Sequence, residues 1–146
     1  MAELTADLLS DLLSRDPQRV WASACAVIRL HDPAALDELT RHLPTLERQT
    51  VDLELGGALF PSAEHLQQAL RVLRAHRDGR CGCTVYPDYL FYNPEKEAQA
   101  GRIRILSADE PPDWNMNYRC QCTACGTEYA VEQGEYHYTW WQWRQD

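Results

Sequence analysis

No purely apolar run in this 146-residue chain exceeds a few residues, with 24–28 a typical case, whereas a bilayer-crossing helix needs about 20. The sequence therefore predicts no transmembrane segment. It also lacks the basic start and continuous apolar stretch of a secretory signal, because MAELTADLLSDLLSRD carries acids there; a cytoplasmic protein is expected. Seven glycines and eight prolines are too few for a collagen-like or low-complexity chain, and 45% apolar with 25% charged residues argues against disorder. The length allows one compact domain or two small units. Basic side chains are in deficit, 14 against 22 acidic, for a formal net charge of −8. The deficit is shared by residues 1–78, with 8 basic and 12 acidic groups, and residues 79–146, with 6 and 10. Nucleic-acid binding draws on clustered Lys and Arg, so the charge points away from nucleic acid and toward a basic protein partner. Solubility alone is the plainer account of the same charge.

Catalytic fingerprints are lacking as well. No G-x-S-x-G, H-E-x-x-H, Walker or dinucleotide-binding pattern occurs. His31, His42, His65 and His76 fall in the helical region and His137 in an aromatic stretch, with nothing to mark a base or nucleophile. A non-enzyme is expected.

The hydrophobic period changes near Asp78-Gly79. Before it, Leu4, Leu8 and Leu12 share one face of a first helix. Asp16-Pro17 and Asp32-Pro33 are start signals, an N-cap acceptor followed by a residue that sacrifices no needed N–H. Ser62 can open a further helix carrying Leu66, Leu70 and Leu73, and Pro44 is expected to kink or stop the third helix near Leu43. Four short antiparallel helices result. Within them RDPQRVWASACAVIRLHDPAALDELTRHLP, residues 15–44, resembles a HEAT-type repeat, which implies a binding scaffold.

After Gly79, short segments rich in β-branched and aromatic residues at 84–86, 89–92, 103–106, 118–122, 128–131 and 138–143 predict a small antiparallel sheet. Pro87-Asp88, Asn93-Pro94, Gly101, Pro111-Pro112, Gly126 and Gly134 read as its turns. The fold class is α+β: a helical region over 1–78 and a β region over 79–146 packed on it.

Five of six cysteines lie in the β region. Cys122-Thr-Ala-Cys125-Gly126 is a turn whose two thiolates can converge on one metal, the glycine permitting a left-handed backbone. Cys81-Gly-Cys83 is a second pair. Together they resemble a zinc ribbon, with a first pair of C-x-C rather than C-x2-C spacing. Cys81, Cys83, Cys122 and Cys125 are the expected ligands of a structural zinc, with Cys120 and His137 as alternatives; disulfides fit a reducing compartment poorly. Cys25 reads as a core residue. A small sheet needs such a staple.

Tyr138-Thr-Trp140-Trp141-Gln-Trp143 splits by alternation into Tyr138, Trp140 and Gln142 on one side and Thr139, Trp141 and Trp143 on the other. The loop SADEPPDWNMN carries Asp109, Glu110, Asp113 and Trp114, a combination suited to contacting a basic protein. Over the whole chain, the segments DLLSRDPQRVWASACAVIRL and GGALFP, the two cysteine pairs and the closing GEYHYTWWQW resemble the immunity proteins of bacterial polymorphic toxin systems, including contact-dependent inhibition. That resemblance implies a cytoplasmic antidote that binds a cognate toxin, often a basic nuclease, and occludes its active site. A zinc-ribbon adaptor for nucleic acid or transcription machinery is the alternative.

Overall fold

Asp16, Asp32 and Asn93 each stand directly before a proline, and each opens a helix. The Asp16 carboxylate accepts from the amides of Gln18 (2.9 Å) and Arg19 (3.3 Å), Asp32 from Ala35 (2.9 Å), and the Asn93 carbonyl from Glu95 (3.0 Å). Each side chain satisfies amides that a helix start leaves without intrahelical partners. The computed structural model describes residues 2–56, 62–110 and 115–146, and divides into two units, Met1–Gly82 and Cys83–Asp146.

The first unit contains α1 (Ala2–Leu12), α2 (Pro17–Ile28), α3 (Pro33–Thr40), α4 (Leu43–Thr50) and α5 (Ser62–Arg77). This is one helix more than the sequence pattern suggests. Pro44 does not merely end α3; it lies in the first turn of α4, where its missing N–H costs no bond. The core is aliphatic: Leu12, Val20, Ala24, Val27, Leu39, Leu43, Leu46, Leu66 and Leu73 are buried, and α2 packs mainly on α5 and α1. Trp21 on α2 is 38% exposed and meets the His65 ring edge-on at 6.2 Å. Ion pairs tie α5 to its neighbours, Arg74 to Glu47 (3.0 Å) and His76 to Asp37 (2.6 Å), but such partly exposed pairs contribute little to stability. No helix among the described residues is long and apolar enough to cross a membrane.

The second unit opens with a 3-10 helix, Gly82–Asp88, and a short α6 (Pro94–Gln99). Four antiparallel strands follow in the order β1-β2-β3-β4: β1 (Ile103–Ala108), β2 (Asn117–Cys122), β3 (Glu128–Glu135) and β4 (Thr139–Gln145). The expected sheet is present, with four corrections. Residues 84–86 form the 3-10 helix and not a strand; residues 89–92 are irregular and join no sheet; Asn93-Pro94 starts α6 and is not a hairpin turn; Gly134 lies inside β3. The β3–β4 reversal comes three residues later, with His137 at φ +54°. A bulge between Ile105 and Ser107 interrupts the β1–β2 pairing.

One face of the sheet is the core. Tyr118, Cys120, Tyr129, Val131 and Trp143 point into it, and Trp143 is fully buried. Its ring stacks on Tyr86 (4.3 Å) and meets Tyr129 at 72° (5.8 Å), while its indole N–H donates to the Tyr92 carbonyl at 2.9 Å. Trp141 donates from its indole to Gln133 (3.0 Å) and from its backbone to the Leu90 carbonyl (2.8 Å). The Tyr86 hydroxyl donates to buried Glu97 (2.9 Å), which also accepts from Arg102 (2.6 Å). Burial, then the neighbouring Glu97 charge, raises the Tyr86 pKa above its ordinary value.

On the opposite face, the Trp140 indole lies over its cross-strand partner Gly134. A Cβ at Gly134 would overlap that ring, which explains a glycine in mid-strand. Gly134→Ala should therefore displace Trp140 and destabilise the protein by roughly 1–3 kcal/mol, an overpacking cost; thermal denaturation would reveal it, and an unchanged midpoint would show that the indole moves aside freely.

Candidate metal centre

The turn after β2 is built for its cysteines. The Gly126 amide donates to the Cys122 carbonyl and the Cys122 amide to the Thr127 carbonyl, each at 2.9 Å, with Gly126 left-handed at φ +81°. Thr123 anchors it to the start of β1: its amide donates to the Arg102 carbonyl (3.1 Å) and its hydroxyl to the Gly101 carbonyl (2.7 Å). Cys122 and Cys125 are thus presented on one side of a closed turn. Cys83 enters from the 3-10 helix, and chain continuity through Gly82 brings Cys81 with it.

The Sγ atoms of Cys81, Cys83, Cys122 and Cys125 all lie within 4.8 Å of one another. Those of Cys83 and Cys125 are 3.5 Å apart. A zinc ion bound by four thiolates at ~2.3 Å needs sulfur–sulfur edges of roughly 3.8 Å, so the set fits a tetrahedral metal ion with small adjustment. Among the described residues, which include all six cysteines, none is in a disulfide. The C-x-C spacing is therefore no obstacle to convergence: both Cys81 and Cys83 reach the cluster.

Hydroxyl groups surround the sulfurs. The Tyr129 hydroxyl donates toward both the carbonyl oxygen (3.0 Å) and Sγ (3.2 Å) of Cys83, and the Thr127 hydroxyl lies 3.1 Å from the Cys125 Sγ. Burial, followed by the hydrogen bond to Cys83, raises the Tyr129 pKa, so the phenol keeps its proton at neutral pH. Composition does not reveal this contact, since Tyr129 is spaced like any core residue of a strand. Its sequence cue is only the odd parity that places it beside Cys120 across the β2–β3 pair.

The other candidates lie elsewhere. Cys120 is fully buried on the inner face of β2, its thiol pushed up to about 12 by burial, which keeps it protonated. His137 is at the β3–β4 reversal with its ring 4.6 Å from Tyr136, and is not one of the four converging groups. Cys25 is half-buried on α2 and its pKa is raised by burial. Of the acidic loop, Asp109 accepts from the backbone and side-chain amides of Asn117, both at 3.0 Å, and Glu110 is exposed. Asp113 and Trp114 lie outside the described residues. Asp109 also borders a groove of about 370 Å³ on the outer sheet face, with Asn117, Arg119, Glu132, Gln142 and Arg144.

Cys122→Ser should lower bound metal and loosen the sheet, because metal binding of this kind is coupled to folding. Cys25→Ser and Cys120→Ala should leave the metal content of the purified protein unchanged. Elemental analysis of the three variants would check this, equal metal in all three rejecting the four-thiol set. Because thiolates must form, uptake should also weaken steadily as the pH falls below neutral, which a chelator competition series would show. No family model, curated protein or solved structure matches the chain, so the reading of its function starts from these four thiols.

Proposed function

We propose that this protein is a zinc-stapled binding protein, and that it acts as the immunity protein of a bacterial toxin system. The convergence of four cysteine sulfurs within 4.8 Å carries the first part. Soft thiolates in a tetrahedral set favour zinc among available divalent ions. Four protein ligands leave no position for water or substrate, so the metal holds structure and performs no chemistry. This supports a non-enzyme.

The binding part is supported by charge. A net charge of −8 attracts a basic partner and accelerates its capture. The recurring Asp-Pro caps of α2 and α3 support the HEAT-like reading of the helical region, a scaffold suited to protein partners. Asp109, Glu110, Asp113 and Trp114 form the proposed contact loop, with Asp109 anchoring its first end through Asn117. The partner is then a basic toxin domain, inhibited in the cytoplasm by occlusion of its active site.

An adaptor for nucleic acid would need unpaired cations on an exposed face. Arg104, Arg119 and Arg144 share the outer sheet face, where Arg119 pairs with Asp146 and Glu128 and Arg144 approaches Glu132, while Arg104 donates to the neutral Gln121 (2.8 Å). That arrangement favours the protein-binding reading.

The test is co-expression and co-purification with the toxic product of the neighbouring gene. A stable complex that abolishes toxicity is expected. Reversing charge with Glu110→Lys and Asp113→Lys should slow association at least tenfold at low salt. Absence of both binding and protection would reject the antidote reading.

A further inference from the structure

Cys83 and Cys122 are buried, whereas Cys81 is half-buried and Cys125 exposed. The four sulfurs therefore face different costs on becoming thiolates. Water can solvate Cys125, and its Thr127 hydroxyl contact is replaceable. A buried thiolate has no such recourse and needs a donor from the protein. The burden is heavier because four thiolates around one dication leave a net charge of about −2 at the site, in a chain already at −8.

At Cys83 the Tyr129 hydroxyl meets that need. Tyr129 has a single proton and two acceptors on the same residue, the Cys83 carbonyl at 3.0 Å and its Sγ at 3.2 Å. The ring cannot drift: it is 1% exposed and held edge-on by Trp143 (5.8 Å) and Tyr86 (6.0 Å). With Cys83 as a thiol, the carbonyl is the better acceptor. With Cys83 as a metal-bound thiolate, the negative sulfur is, and a charge-assisted bond is roughly twice as strong as a neutral one.

We propose that Tyr129 is a positioning residue of the metal centre, whose hydroxyl turns from the Cys83 carbonyl to the Cys83 thiolate when metal binds and thereby sets the affinity of the site. This inference rests on the four-thiol metal reading. Partners of ligating groups of this kind commonly change metal affinity by 10–100-fold when removed.

Cobalt(II) and zinc(II) titrations of the full chain, with Tyr129→Phe against the unaltered protein, provide the test. Phe keeps the ring and removes only the hydroxyl. Zinc affinity, measured against a chromophoric chelator, should fall by about 10–100-fold. The sulfur-to-cobalt charge-transfer band should move to longer wavelength, because a thiolate without its hydrogen bond gives up electron density more readily. Tyr118→Phe serves as control: its hydroxyl faces Met116 and Gln133 and touches no ligand, so both readouts should stay put. Affinity within twofold of the unaltered protein overturns the proposal. So does weakened affinity with an unshifted band, which would make Tyr129 a packing residue only. If the unaltered protein itself develops no thiolate–cobalt band, the metal reading fails and the role of Tyr129 falls with it.

Discussion

The second unit depends on a closure. Cys83 and Cys125, 42 residues apart in the chain, meet at 3.5 Å and close a loop around the segments between them. Closing a loop of that length costs entropy that grows only slowly with length, so one strong point of attachment can hold many residues. A metal ion held by the four thiols would supply such a point, because that ligand set is assembled only in the folded chain. The 3-10 helix from Cys83 onward, α6 and the first two strands lie within the segment that this meeting of sulfurs pins.

Next to the pin, aromatic rings replace the aliphatic side chains that fill the helical unit. Trp143, Tyr86, Tyr129 and Tyr92 contact one another edge-on or stacked, an arrangement ring quadrupoles favour. Three polar tips in this group have clear partners: Trp143 on the Tyr92 carbonyl, Tyr86 on Glu97, Tyr129 on Cys83. A small sheet thereby gains a dense interior without leaving buried hydroxyls or indoles unsatisfied. Glu97, charged and 8% exposed, is tolerable there because Tyr86 and Arg102 both donate to it.

The legible features are the local ones. Asp-Pro pairs cap helices through contacts two or three residues long, and the alternation of 138–143 puts Trp143 and Trp140 on opposite faces because a strand has period two. The four sulfurs are legible as types and as spaced pairs; their convergence is a property of tertiary folding. What misleads is composition under tertiary demand. Residues 84–86 look like a strand because the core wants Val85 and Tyr86, while the backbone must turn tightly just after Cys83. Gly134 looks like a turn, yet its missing side chain makes room for Trp140 across the ladder. Pro44 looks like a terminator, although at a first turn the same ring is a start. Beyond strand parity, the Tyr129 contact with sulfur had no sequence signature, since it arises from cross-strand register and from a 3-10 helix 46 residues away.

Both borders of the sheet are altered. On β4, the Trp141 amide is already engaged by the Leu90 carbonyl. On β1, the bulge between Ile105 and Ser107 breaks the regular run of outward amides and carbonyls and increases local twist. A straight border is what allows a foreign strand to extend a sheet, and its loss guards against aggregation. The same geometry would restrict recognition under the proposed binding function: a partner that cannot easily add a strand would have to be selected through side chains. Specificity would then be a matter of which groups project from the faces of the sheet, and sequence changes there could retarget it without disturbing the ladder beneath.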